Sequence, residues 1–103
     1  MIVETHLRTF AFTYEPGNST SYRLVVTFDA NLNIRCIAWP DMRWSCGDFG
    51  REVSAHWLRS SGRLKNKADA NAIAEIVTHI VSCLSRGESP REVAGVLAWG
   101  ETS

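Results

Sequence analysis

The residues with the clearest chemical potential are three cysteines and three histidines, and five of these could contribute to a metal site. Cys36, Cys46 and His56 follow one another at intervals of ten residues, and His79 and Cys83 are one helical turn apart. Structural zinc sites usually contain close pairs such as C-x2-C, and no such pair occurs here. Cys36 and Cys83 lie in apolar runs, where a cysteine behaves as a small buried hydrophobic residue. The spacing therefore predicts no metal ligands and no cofactor.

Cys46 is the cysteine best suited to nucleophilic chemistry, because it falls in a predicted loop, Trp44-Ser45-Cys46-Gly47-Asp48. A catalytic thiol needs a base within hydrogen-bond reach and a group that orients this base. His56 or His79 could act as the base, but the sequence does not bring either of them to Cys46. The chain contains no G-x-G-x-x-G, Walker A, H-E-x-x-H or G-x-S-x-G motif. We therefore expect a protein that is not an enzyme and has no catalytic residues.

The segment Trp39-Pro40-Asp41-Met42-Arg43-Trp44 combines two tryptophans, a methionine and an arginine in one predicted loop. These residue types are enriched in the cores and hot spots of protein interfaces. The chain has four tryptophans, which are many for a small core that Ile, Val, Leu and Phe also fill. In the alternative interpretation, Trp39 ends a strand pointing inward and Trp44 folds over the sheet as a lid. We interpret the segment as a partner-binding site, with Trp39, Met42, Arg43 and Trp44 as its contacts.

Residues 59–67 form a basic stretch of nine residues with four cations, and Trp57 precedes it. A loop of this kind could bind phosphate groups while the aromatic ring stacks on a base. Nucleic-acid-binding domains usually have a pI above 9, whereas the pI here is about 6.8. We expect the stretch to contact an acidic rim of a protein partner, and nucleic-acid binding remains the alternative. The contacts in this second part of the predicted site are Trp57, Arg59, Arg63, Lys65 and Lys67.

Length and composition describe one ordinary globular domain. The chain has 103 residues, 45% of them hydrophobic and 21% charged, with 11 basic and 11 acidic side chains. Residues 35–67 hold seven of the basic and three of the acidic residues, so the middle is basic and the last third is acidic. No apolar run reaches the ~20 residues of a transmembrane helix, and the first ten residues are too polar for a secretory signal. We expect a single domain over residues 1–103, a cytoplasmic location, no membrane contact and reduced thiols.

The first 40 residues predict a three-stranded antiparallel meander. Residues 5–14 are rich in threonine and aromatic residues, and residues 22–28 alternate between apolar and other side chains. A Pro-Gly-Asn turn separates these two strands, and an Asp-Ala-Asn turn precedes a third strand over residues 34–39. We expect the second strand to present one apolar face, formed by Tyr22, Leu24, Val26 and Phe28.

The remainder of the chain predicts helices. A short helix is expected around Val53, Trp57 and Leu58, and a long helix over residues 66–87 carries one apolar stripe. Ser89-Pro90-Arg91-Glu92 has the pattern of a capping box and predicts a short last helix to about Trp99. The chain should thus form an α+β domain in which the meander packs against the stripe of the long helix, which consists of Ile73, Ile76, Val77, Ile80, Val81 and Leu84.

The last third, with its long helix, a Gly-Glu-Ser-Pro-Arg-Glu segment and a short final helix, resembles the helix pair of small TSCPD-type domains. That family occurs at the end of cobalamin-dependent ribonucleotide reductases and as stand-alone, often phage-borne, proteins, and its cysteines are thought to bind metal. The resemblance implies a few strands followed by a long helix and a short one. This sequence lacks the family's terminal T-S-C-P-D and its paired cysteines, so the resemblance assigns no metal ligand here.

The function we expect from these observations is non-catalytic protein binding. Small, neutral domains without motifs are frequent among phage or mobile-element proteins that inhibit a host machine by occlusion, as anti-CRISPR proteins do. The alternatives are a nucleic-acid-binding domain that uses residues 59–67 and a TSCPD-like accessory domain of metal or nucleotide metabolism. Homodimer formation is a further alternative, because a meander leaves two sheet edges and the first strand could pair across a two-fold axis.

Overall fold

The described part of the chain folds into one five-stranded antiparallel sheet and two helices. The computed structural model describes residues 7–17, 21–38, 44–60, 64, 66–89 and 95–102. Along the sheet the strand order is β4-β3-β2-β1-β5. This architecture confirms the predicted α+β class. The elements in chain order are β1 (Arg8–Tyr14), β2 (Tyr22–Phe28), β3 (Ile34–Ala38), β4 (Trp44–Cys46), α1 (Ala55–Ser60), α2 (Lys67–Ser85) and β5 (Val96–Thr102).

The predicted meander forms the centre of this sheet and is extended by a strand on each side. β1 pairs with β2 over their full length, from Arg8 opposite Phe28 to Tyr14 opposite Tyr22. β3 continues the sheet beside β2, with a register shift after Thr27. Three strands were expected and five are found among the described residues, because β4 and β5 add to the two edges of the meander.

The prediction of a short final helix is wrong for its second half, which is a strand. β5 pairs antiparallel with β1, and Val96 lies opposite Tyr14. Residues 90–94, which include most of the predicted capping box, lie outside the described residues. Because β5 covers β1, the first strand lies inside the sheet and cannot pair with a second copy as expected.

Helix α2 has the predicted stripe and two well-formed ends. Asn66 caps the N-terminus by accepting hydrogen bonds from the backbone amides of Ala68 and Asp69. At the C-terminus Gly87 has φ +72°, and the Glu88 amide donates to the Cys83 carbonyl, as in a Schellman motif. Within the described ranges, no helix combines the length and the apolar character needed to cross a bilayer.

The core lies between the helices and one face of the sheet. Leu24, Val26 and Phe28 of β2 are buried in one cluster with the α2 stripe, as predicted, and Tyr22 packs against its edge. Asp69 is 5% exposed on the first turn of α2 and accepts a 2.7 Å hydrogen bond from the Tyr22 hydroxyl. This bond joins the start of β2 to the start of α2.

The short middle helix is also present, as α1. Ser54 precedes it and accepts a hydrogen bond from the Trp57 amide through its hydroxyl. Leu58 is buried in the core, and Trp57 is half-buried against Phe49, with ring centroids 4.9 Å apart. α1 therefore attaches the segment after β4 to the core.

Candidate functional site

The site with the most distinctive chemistry is the β3–β4 hairpin, residues 34–46. Its two strands are joined by a disulfide between Cys36 and Cys46. The expectation of reduced thiols is therefore wrong for this pair, as is the interpretation of Cys36 as a buried hydrophobic residue. The interpretation of residues 44–46 as part of a loop is also wrong, because they form β4.

The register of the hairpin explains why these two cysteines meet. Cys36 lies directly opposite Cys46, and their Cα atoms are 4.1 Å apart. The next pair, Arg35 and Gly47, is joined by a backbone hydrogen bond from the Gly47 amide to the Arg35 carbonyl. Hydrogen-bonded and non-hydrogen-bonded pairs alternate along an antiparallel ladder, so the cysteines occupy a non-hydrogen-bonded position. Side chains approach most closely at such positions, which suits a cross-strand disulfide.

The disulfide lies on the face of the sheet opposite the helices. Cys36 pairs with Thr27 and Thr27 with Thr9, so these side chains form one row across the strands. The hydroxyl oxygens of Thr9 and Thr27 are 3.2 Å apart, within hydrogen-bond distance. Cys36 is half-buried and Cys46 is exposed. One sulfur of the disulfide thus belongs to a residue that solvent can reach.

The segment after β4 stays close to β3 and fixes the base of the hairpin. The Ile34 amide donates to the Gly50 carbonyl, and the Phe49 amide donates to the Ile34 carbonyl. Arg35 and Asp48 form an exposed ion pair with N and O atoms 3.8 Å apart. An exposed pair of this kind contributes little to stability, so the backbone bonds of Ile34 matter more for the position of the base.

The turn between β2 and β3 sets the direction of the hairpin. Asp29 Oδ1 accepts hydrogen bonds from the backbone amides of Asn31 and Asn33, at 2.9 and 3.0 Å. The bond from the Asn33 amide, together with that from Asn31 and the charge of Arg35, holds the pKa of Asp29 below its ordinary value. The ionised carboxylate is thus part of the turn that leads into β3.

Three of the predicted contacts in the Trp-rich segment, Trp39, Met42 and Arg43, lie outside the described residues. Trp44 is the first residue of β4 and pairs with Ala38, the last residue of β3. Residues 39–43 therefore connect two strands whose ends are opposite each other. The strand β4 on the far side of this segment was not predicted, and the role of the segment in binding stays a prediction.

The second group of predicted contacts is spread over α1 and the start of α2. Arg59 is exposed in the last turn of α1, and Lys67 is exposed as the first residue of α2. Arg63 and Lys65 lie outside the described residues, but Leu64 between them is 1% exposed. The buried Leu64 therefore anchors this basic stretch to the core.

The remaining cysteine and the histidines form no metal centre among the described residues, where no group of three or more His, Cys, Asp or Glu could hold an ion. The Cys83 sulfur is 3.6 Å from His79 Nε2. These two residues are the pair that lies one helical turn apart in the sequence. Arg86 donates to the same sulfur at 3.7 Å. The Cys83 side chain is fully buried, which confirms its interpretation as a buried residue.

Sequence reasoning missed the disulfide because residues 44–46 were interpreted as a loop. A signal that could have found it is the turn-forming pair Pro40-Asp41, which lies near the middle of the segment from Cys36 to Cys46. In an antiparallel hairpin, residues that are equally far from the centre of the turn face each other.

Comparisons with other proteins give no assignment for this chain. No protein-family model matches it, and searches of curated proteins and of solved structures return no significant match. The resemblance to TSCPD-type domains stays a prediction, and the final helix that it implied is replaced by β5 in the described part. Any function must therefore be argued from the residues themselves.

Proposed function

We propose that this chain is a non-catalytic protein-binding module whose contact surface is centred on the β3–β4 hairpin. The observation that carries the proposal is the Cys36–Cys46 disulfide, which joins the strands on either side of residues 39–43. These residues and Trp44 supply the tryptophans, methionine and arginine that interfaces favour. Residues 39–43 thus connect two strands that the disulfide joins covalently.

The disulfide between the flanking strands reduces the conformational entropy that residues 39–43 lose when they bind a partner. A loop that is restrained before binding gives up less conformational freedom than an open one, which increases affinity. Here the restraint comes from the disulfide and from the backbone bonds of Ile34 to residues 49 and 50. The hairpin therefore has the organisation expected of a binding element.

The disulfide also argues against the nucleophilic alternative at Cys46. A thiol must be free and ionised to attack a substrate, and Cys46 is bonded to Cys36 in this structure. Cys83 has a histidine beside it, but its side chain is fully buried. Neither Cys46 nor Cys83 therefore presents a free, exposed thiol in this structure.

Exposed cations around the start of α2 support a partner with an acidic rim. Arg59 and Lys67 are exposed on either side of the buried Leu64. Charges at the rim of an interface mainly raise the rate of association and select the partner. We place Trp57, Arg59, Arg63, Lys65 and Lys67 in this outer part of the surface.

The specific form of the proposal is a small inhibitor, of phage or mobile-element origin, that occludes a surface of a host complex in the manner of an anti-CRISPR protein. Occlusion requires only affinity and a position over the host's working surface. Self-association is a separate outcome, and the sheet edges available for it in the described structure are β4 and β5 rather than the first strand.

The proposal is tested by affinity capture from a lysate of cells that carry the gene, with and without nuclease. Wild type is compared with Trp44→Ala and with the control Asn71→Ala, an exposed position on α2. We expect a nuclease-resistant protein partner whose recovery falls about tenfold or more in Trp44→Ala, because truncation of a hot-spot residue costs at least ~2 kcal/mol. The control should bind as wild type does.

Two results would contradict the proposal. The first is recovery of the same partner by wild type and Trp44→Ala at equal levels. The second is recovery of nucleic acid alone, with affinity that falls steeply as salt rises, which would favour the basic stretch as a phosphate-binding surface. Circular dichroism of each variant confirms that the fold is retained in the comparison.

A further inference from the structure

We propose that Cys36 and Cys46 form a reversible thiol–disulfide exchange site, opened by small thiols of the glutathione class. Exchange is a chemical property of the hairpin and does not depend on the proposed binding function. Its effect on a partner does rest on that function. Trp44, a proposed contact, is the first residue of β4, the strand that the disulfide holds.

Access to the site follows from its place in the sheet. The disulfide is on the face opposite the helices, at the edge of the sheet, and Cys46 is exposed. Exposed disulfides are the ones that thiols attack readily, whereas buried ones are structural. Cys83 is fully buried between α2 and the core and provides an internal contrast.

The exchange takes place in two balanced steps. A glutathione thiolate attacks the sulfur of Cys46, which is the more exposed of the two residues, and forms a mixed disulfide while Cys36 leaves as a thiolate and takes a proton from water. A second glutathione thiolate attacks the glutathione sulfur of the mixed disulfide, forms glutathione disulfide and releases Cys46 as a thiolate, which also takes a proton from water. Two glutathione molecules become one glutathione disulfide, and their two electrons reduce the cystine to two thiols.

Opening the disulfide releases the edge of the sheet. β4 has only three residues, and within the described ranges it pairs only with β3, since it is the last strand on its side. A short strand held on one side has few hydrogen bonds to keep it in place. The Gly47 amide donates a hydrogen bond to the Arg35 carbonyl, next to the cysteine pair. Its rate of hydrogen exchange therefore reports whether β4 stays paired with β3. Reduction should therefore loosen β4 while the core under α2 remains intact.

The test uses the full chain, equilibrated without oxygen in buffers of reduced and oxidised glutathione. Free thiols are then alkylated under native conditions and counted by mass spectrometry. We expect Cys36 and Cys46 to change together from unlabelled to labelled as the buffer becomes reducing, and to return when it is reoxidised. Cys83 should react only after denaturant is added. If the pair resists reduction until the protein unfolds, the proposal is wrong.

Single-cysteine variants test which sulfur is attacked. In Cys36→Ser the exposed Cys46 should form a mixed disulfide with oxidised glutathione about tenfold faster than Cys36 does in Cys46→Ser, because thiol access controls the rate. Equal rates would overturn the assignment of Cys46 as the attacked residue.

Hydrogen exchange tests the structural consequence in the wild-type protein. Reduction should speed exchange of the Ser45 and Gly47 amides and leave the interior amides of α2 unchanged. Unchanged exchange at Ser45 and Gly47 after full reduction would show that the disulfide does not hold β4. None of these measurements needs a partner, so failure of the proposed binding function leaves their outcome intact.

Discussion

Asp69 is a buried acidic residue whose hydrogen bond to Tyr22 connects two distant parts of the chain. The sequence separation of 47 explains why sequence reasoning did not find the pair, although it assigned Tyr22 to the apolar face of β2. Periodicity predicts which face a side chain occupies, but not which residue of another element it meets. The polar contacts of the core therefore had to come from the structure.

Tyr22→Phe should lower the free energy of unfolding by about 2 kcal/mol, because it removes a hydrogen bond to a buried carboxylate. Urea denaturation measures the loss. Tyr14→Phe is the matched control: its ring stacks on Tyr22 with centroids 6.5 Å apart, but in this variant Asp69 keeps its hydroxyl partner. Equal losses in the two variants would show that the Tyr22–Asp69 bond contributes nothing specific.

The same contact should be visible in the titration of tyrosine. The hydrogen bond to Asp69, burial and the negative charge of Asp69 raise the pKa of Tyr22 to about 12. A raised pKa means that the stabilisation is fully present below pH 10 and is lost as pH rises through about 12. Absorbance of tyrosinate in the folded protein should show one of the two tyrosines ionising near pH 12, and Tyr22→Phe should lack this step. A wild-type titration complete well below pH 12 would contradict the assignment.

At the scale of elements, the C-terminal segment shows where local signals fail. The capping pattern at residues 89–92 favours a helix, but residues 96–102 form β5 because β1 offers an unpaired edge. Valine, leucine and tryptophan suit a strand as well as a helix, so the tertiary pairing decides. The stripe of α2 was predictable because nineteen residues with strong helical periodicity and good caps leave no competing structure.

Gly95→Ala should disrupt the start of β5 and cost about 2 kcal/mol or more, because steric conflict adds to backbone strain. Gly95 has φ +80°, and an added Cβ would lie 3.1 Å from Tyr14 Cε1 and 3.2 Å from the Glu15 carbonyl oxygen. Gly87→Ala is the control, since its φ is +72° but nothing lies within 4 Å of an added Cβ. It should cost only about 1 kcal/mol. Thermal denaturation compares the stability of the two variants. Equal losses of stability would show that the structure relieves the crowding at Tyr14.

At the scale of the whole molecule, the sequence predicted the α+β fold class and the packing of the sheet against α2, but not the number of strands in the sheet. The face formed by Leu24, Val26 and Phe28 was identified correctly because period-two alternation is a strong signal. β4 is only three residues long, too short for periodicity to detect. The candidate site was located from its residue types, whereas its closure by Cys36 and Cys46 depends on a register that composition does not contain.

The contribution of that closure to the stability of the molecule can be isolated by a double-mutant cycle. Breaking a disulfide that closes a loop of about ten residues should lower the free energy of unfolding by about 2 to 3 kcal/mol. Cys36→Ser and Cys46→Ser each remove the whole bond, so both single variants and the double variant should lose nearly the same amount.

Denaturation of the four proteins in oxidising buffer measures the cycle, and wild type in excess reductant should match the double variant. Losses that add in the double variant would mean that each side chain acts separately and that the bond contributes little. Near-equal losses would instead show that one covalent link at the edge of the sheet stabilises the molecule as a unit. The redox state of the hairpin would then affect the stability of the whole domain as well as the position of β4.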